Sequence, residues 1–166
     1  VGLSALVVSL VAVFVGIYSA YVDRAYARAS VWPRLEIYRS FSNEVKSFRY
    51  GVTNSGTGPA IIKYVAIKDQ DKYIHYWRDI EELNHKNIKF VQSHIHNRII
   101  PPQQVINPIK ISSTDELTAF IDRESQDITI SACYCSIYDE CWTIDRRNSP
   151  TEVESCAIDE KLRFLQ

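Results

Sequence analysis

The first 22 residues, VGLSALVVSLVAVFVGIYSAYV, are apolar and uncharged, and every charged side chain lies beyond them. As a helix rising about 1.5 Å per residue, this run covers roughly 33 Å, the thickness of a hydrocarbon layer. A lone segment in lipid must satisfy its own backbone, so residues 1–22 are expected to form one transmembrane helix. Tyr18, Tyr21, Tyr26 and Trp32 then fall near one boundary, where amphipathic rings are at home. A cleaved signal peptide is the rival reading, because Ala25-Tyr26-Ala27 offers a small-x-small site. Against it, the run is longer than the usual apolar region of about 7–15 residues, and Arg24 sits inside the would-be cleavage region.

Residues 23–33 hold good helix formers up to Ser30, and Pro33 restricts Trp32 to an extended shape, which predicts a short helical stalk. Beyond Pro33 the period changes to two. Leu35 and Ile37 alternate with Glu36 and Tyr38, Phe48, Tyr50 and Val52 with Arg49, Gly51 and Thr53, and Ile128, Ile130, Ala132 and Tyr134 with Thr129, Ser131, Cys133 and Cys135. Further strands are expected over 60–68, 73–77, 98–100, 105–111, 141–145 and 153–158, about seven to nine in all. Two short helices are expected, one over 79–90 and one over 114–121, the second with Ser113 and Glu116 as a capping box. Many short strands without a βαβ rhythm predict a mainly β fold: residues 34–166 as an immunoglobulin-like antiparallel β-sandwich, with a small barrel as the alternative.

Composition narrows the class without changing this picture. With 166 residues the chain can bury one core, and 19 basic against 20 acidic side chains give no global field to attract nucleic acid. Five Gly and six Pro are too few for a disordered or collagen-like chain.

Within the apolar run, Gly2, Ala5, Ser9, Ala12, Gly16 and Ser19 recur at spacings of three and four, one smooth stripe on the helix. Lipid tails give helices no hydrophobic reason to associate, so close approach along small side chains predicts a packed partner, either a second copy or another membrane protein. Gly, Ala and Ser are also simply common in such helices. Orientation is contested. Arg24, Arg28, Arg34 and Arg39 follow the span and favour a cytoplasmic domain, whereas four cysteines in the last 34 residues suit disulfides in an oxidising compartment, the periplasmic alternative.

Cys133 and Cys135 share one face of a strand about 7 Å apart, too far to bond to each other. If 137–139 form a hairpin loop, Cys135 lies opposite Cys141, which leaves Cys133 for Cys156 on the last strand. The alternative is zinc on the four thiolates of Cys133, Cys135, Cys141 and Cys156, although their C-x-C-x5-C-x14-C spacing is not a strong zinc signature. If 93–98 is extended, His94 and His96 share a face, and joined to Cys133 and Cys135 they make a four-ligand metal set; His75 and His85 have no evident partner. Asp79, Glu81, Glu82, Lys86 and Lys89 read as a solvated helix face, and 145–150 as a turn of mixed charge. The Asn54 to Ala60 stretch lacks the Lys-Ser/Thr ending of a phosphate loop and reads as a strand connection. With no nucleophile elbow, zincin helix or Gly-rich cofactor loop, no catalytic or cofactor-binding residue is assigned and an enzyme is not expected.

Ala29-Ser30-Val31-Trp32-Pro33, the 54–60 connection, and Cys133-Tyr134-Cys135-Ser136 with Cys141-Trp142 together resemble a group of single-pass bacterial membrane proteins. The resemblance implies an architecture and residence in the bacterial inner membrane, and carries no catalytic residues. The expectation is a non-enzymatic membrane subunit with an assembly or regulatory accessory role, the alternative a membrane-tethered metal or thiol redox module.

Overall fold

The computed structural model describes residues 2–42, 44–85, 88–112 and 117–166. Helix α1 runs unbroken from Gly2 to Ser30 and is exposed along its whole length. It is long and apolar enough to cross a membrane, a property that signal sequences share. No Gly or Pro interrupts residues 17–30, so the helix continues through the charged stalk and stops only where Pro33 forbids further helical turns.

The remainder is two antiparallel sheets around a shared core. The first sheet has the order β1-β2-β7-β5, made from Leu35–Ser42, Ser47–Asn54, Val105–Ser112 and Phe90–Gln92. In the second, β10-β9-β8-β3-β4 uses Thr151–Val153, Cys141–Asp145, Ile128–Cys135, Ala60–Asp69 and Lys72–Ile74, and β6 (Ile99–Ile100) pairs with β3. Alternation decides which face is buried. Ile37, Tyr50, Val52, Ile109 and Ile111 come from one sheet and Ile62, Val65, Ile67, Ile130, Ala132 and Ile144 from the other, all in one apolar cluster. A register shift between Tyr50 and Val52 falls opposite Pro108, which has no N–H to give to a ladder.

Aromatic rings fill the centre. Tyr50 stacks on Trp77 at 6.1 Å between ring centroids, and Phe164 meets Trp77 edge-on at 5.0 Å. Phe120 does the same to Phe48 at 5.3 Å. Phe120 belongs to α3 (Leu117–Asp127), so α3 closes one end of the core. The C-terminal tail adds backbone pairing, with the Phe164 N–H donating to Val65 and the Leu165 N–H to His75.

Several expected elements are replaced. The segment read as a helix over 79–90 breaks into a 3-10 turn (Trp77–Asp79), the short helix α2 (Glu81–His85) and β5, because Trp77, Ile80 and Leu83 are buried at three-residue spacing before the chain turns into the sheet. The expected strand over 73–77 ends at Ile74, where the Asp79 carboxylate accepts from the His75 and Tyr76 N–H groups and starts the turn. The helix expected to end at residue 121 continues to Asp127, and the Ser113–Glu116 capping box lies outside the described residues. The last strand stops at Val153, which leaves Cys156 in irregular chain.

Candidate functional site

Two neighbouring features hold most of the uncommon chemistry: the joint where α1 meets the sheets, and the sulfur cluster on the β8–β9 hairpin. At the joint, the β2–β3 connection wraps the chain leaving the helix. Thr57 and Gly58 N–H groups donate to the Trp32 carbonyl at 2.9 and 3.1 Å, and the Ser55 N–H donates to Arg34 at 2.8 Å. The glycines of this connection are explained by contact, since a Cβ on Gly58 would run into the Val31 backbone and one on Gly56 into that of Trp32 to Arg34.

Asn54 organises the connection. Its side chain is wholly buried and satisfied: Oδ1 accepts from the Arg34 and Gly56 N–H groups, and Nδ2 donates to Gly58 and Ile100. A buried amide with both ends occupied costs nothing in unmet hydrogen bonds and holds three segments in one arrangement. From the other side, Trp32 stacks on Trp142 at 5.8 Å, and Trp142 leans on Tyr134 at 5.7 Å. Burial pushes the Tyr134 phenol above its ordinary value, against the opposing pull of the Leu35 backbone and Arg34. One turn back along α1, Arg28 pairs with Glu140 at 3.4 Å and lies over the Tyr138 ring, so the hairpin tip touches the helix directly.

The hairpin above this joint carries the cysteines. Its register sets Cys135 opposite Cys141, and the Ser136 N–H donates to Glu140 to close the loop. Cys135 is bonded to Cys141, and Cys133 to Cys156, with Cα separations of 4.0 and 5.7 Å. The two bonds touch, because Sγ of Cys135 lies 3.7 Å from Sγ of Cys156. Among the described residues, the one group with metal-ligand spacing is Cys135, Cys141 and Cys156. Bonded sulfurs offer no thiolate, so zinc could occupy this place only after reduction.

No histidine belongs to that group. The 93–98 segment turns instead of running extended, with Asn97 at φ 49°, so the geometry that would have set His94 and His96 beside Cys133 and Cys135 is not formed. Their rings meet at 4.0 Å, and burial, then His94, then Arg163 hold the His96 imidazole below its ordinary value. The His75 ring is hydrogen-bonded with the Arg163 carbonyl at 2.9 Å.

Sequence pattern did not reveal the ionic work of the turn over 145–150 and the supposedly solvated acids. Glu124 is wholly buried between Arg39 at 2.7 Å and Arg146 at 2.9 Å. Arg146 also donates to the Ile128 carbonyl, and the Asn148 side chain bonds both the N–H and the carbonyl of Ile37, which bolts this turn to the opposite sheet. Glu82, read as part of a solvated helix face, instead meets Arg123, which also binds Asp69; Lys86 lies outside the described residues. The available signal was Glu124 standing four residues after Phe120, which puts a carboxylate on the apolar face of a helix.

The small residues of α1 remain on one stripe at about 100° per residue, and a Cβ added at Gly2 or Gly16 would meet nothing within this chain. Comparison with family models, curated proteins and solved structures returns no match.

Proposed function

We propose that this chain is a non-enzymatic, single-pass membrane subunit whose helix and β-domain engage the same assembly, as an accessory to another membrane protein or to further copies of itself. The observation that carries this reading is the joint. A domain that needed only to stay near a membrane would be served by a flexible Gly/Ser tether. Here backbone lies against backbone at Val31 and Gly58, Asn54 is buried with both ends bonded, and Arg28 reaches the hairpin. Such a joint fixes the angle between helix and domain, which is useful when both must meet one partner together.

The β-domain is read as immunoglobulin-like. Taking β1, β2, β7 and β5 as strands A, B, E and D, and β9, β8, β3 and β4 as G, F, C and C′, its sheets follow the ABED and GFCC′ orders of that architecture. The fold is a platform for contact and says nothing about catalysis. Two disulfides support an oxidising compartment for the domain, the periplasmic side of a bacterial inner membrane, over the cytoplasmic side that the basic flank suggested.

The helix meets its partner through Gly2, Ala5, Ser9, Ala12, Gly16 and Ser19. Replacing Ala12 and Gly16 together by Leu in the tagged full chain tests this, with partners recovered from native membranes in mild detergent. Loss of a component that the unmodified chain retains is expected, and an unchanged set of components contradicts the stripe as the contact face.

A further inference from the structure

The four sulfurs form a row, with Cys133 bonded to Cys156, Cys156 in contact with Cys135 at 3.7 Å, and Cys135 bonded to Cys141. The ends of the row differ. Cys133 and Cys135 are almost wholly buried, whereas Cys141, about 5% exposed, and the half-buried Cys156 reach the open cavity that Cys135 also lines, with Lys63, Asp139 and Glu154 in its wall. Two disulfides that merely stapled a hairpin would have no need to touch. From this arrangement we infer that the cluster is a thiol–disulfide exchange site whose co-reactant is a dithiol, and that its bonds can exchange partners within the chain. This goes beyond the accessory role proposed above and does not depend on it.

The chemistry balances without any group outside the dithiol. A thiolate of the dithiol attacks Sγ of Cys141, the Cys135–Cys141 bond breaks, and Cys135 leaves as a thiolate. The second thiol of the reagent then attacks its own sulfur in the mixed disulfide, frees Cys141, and departs oxidised as an internal disulfide. Two electrons have passed from the dithiol to Cys135 and Cys141. Cys135 now faces Cys156 across the existing contact. Its thiolate attacks Sγ of Cys156, a Cys135–Cys156 bond forms, the Cys133–Cys156 bond breaks, and Cys133 leaves as a thiolate that takes up the proton Cys135 had released. This second step is an isomerisation with no net redox change. Lys63 shares the cavity wall with Asp139 and Glu154, so the charge around the sulfurs is mixed, and the attacking thiolates are the reagent's own and then that of Cys135 as it leaves. Cys133 and Cys141 project from adjacent strands two register positions apart and cannot close a bond in their turn, so the exchanged state holds one disulfide and two thiols.

The test is a linkage map of the full chain after less than one equivalent of dithiothreitol, quenched with N-ethylmaleimide and unfolded before digestion. Chymotrypsin cuts after Tyr134 and so separates Cys133 from Cys135. A peptide pair joined by Cys135–Cys156, with Cys133 and Cys141 alkylated, is the expected product. Only Cys133–Cys156 and Cys135–Cys141 linkages in the partly reduced protein overturn the inference. The Cys141→Ser chain gives a second reading without reductant: Cys135 is then left with a thiol, and part of the population should carry Cys135–Cys156 with Cys133 free. A Cys141→Ser chain holding Cys133–Cys156 alone counts against exchange in the same way.

Discussion

Gly58 sits directly against the carbonyl of Val31, with no room for a side chain between the β-domain and the chain leaving the helix. Gly58→Ala forces either the β2–β3 connection or the 31–33 segment to move, at a cost of about 1–3 kcal/mol. Asn54→Ala strands the donors and acceptors that its amide now serves and costs a similar amount, about 1–3 kcal/mol. Denaturant unfolding of the full chain in detergent checks both, with Gly16→Ala as the control that leaves domain stability unchanged, since nothing surrounds that position within the chain.

Glu124 is fully buried and answers both Arg39 and Arg146, while the two arginines are partly exposed. Arg146→Met therefore leaves a buried carboxylate with one partner and is expected to cost about 3 kcal/mol, toward the lower end for a broken buried pair. Arg146→Met combined with Glu124→Gln removes the charge that needs a partner and should recover part of that loss. Equal stability of the single and double variants in urea unfolding would contradict a charge-based cost.

The half-buried imidazole of His96 is held below its ordinary value by burial, by His94 and by Arg163. The unfolded chain therefore binds a proton more readily than the folded one, and stability rises with pH through this window. His96 contributes fully above its unfolded value near 6.5 and loses that contribution as pH falls through the lower folded value. His96→Gln should flatten the difference in unfolding free energy between pH 7.5 and 5.5, relative to the unmodified chain. An identical slope in the two proteins would contradict the assignment.

Period-two alternation made the long strands legible, because each long strand buries one face against the opposite sheet; Ile128, Ile130 and Ala132 show it plainly. The cysteine pairing was legible as far as the hairpin register, since Cys135 and Cys141 stand at equal distance from one turn. What could not be read was set by contacts between distant segments. Nothing local marks Asn54 as the residue that ties Arg34, Gly58 and Ile100 together, and the glycines at 56 and 58 pointed only to a loop until Val31 and Trp32 were placed against them. Trp77 and Ile80 followed a helical spacing, yet Trp77 begins a 3-10 turn that ends at Asp79 and Ile80 is extended, because the Asp79 carboxylate captures the N–H groups behind it. The touching of the two disulfides belongs to the same class, since Cys156 reaches the hairpin from irregular chain.

The periplasmic side proposed for the domain rests on its two disulfides. Intact cells treated with a membrane-impermeant reductant and then an impermeant maleimide should label the cysteines once the outer membrane is made permeable. Labelling that appears only after the inner membrane is lysed would place the domain in the cytoplasm and remove the oxidising environment the disulfides need.

The role proposed for the helix is tested most directly by photo-cross-linking in native membranes, with a diazirine amino acid placed either at Ala12 on the small-residue stripe or at Phe14, which lies on the far side at about 100° per residue. Illumination should join Ala12-labelled chains to another protein and Phe14-labelled chains to lipid. Lipid adducts alone from both positions would contradict a packed partner and, with it, the accessory role.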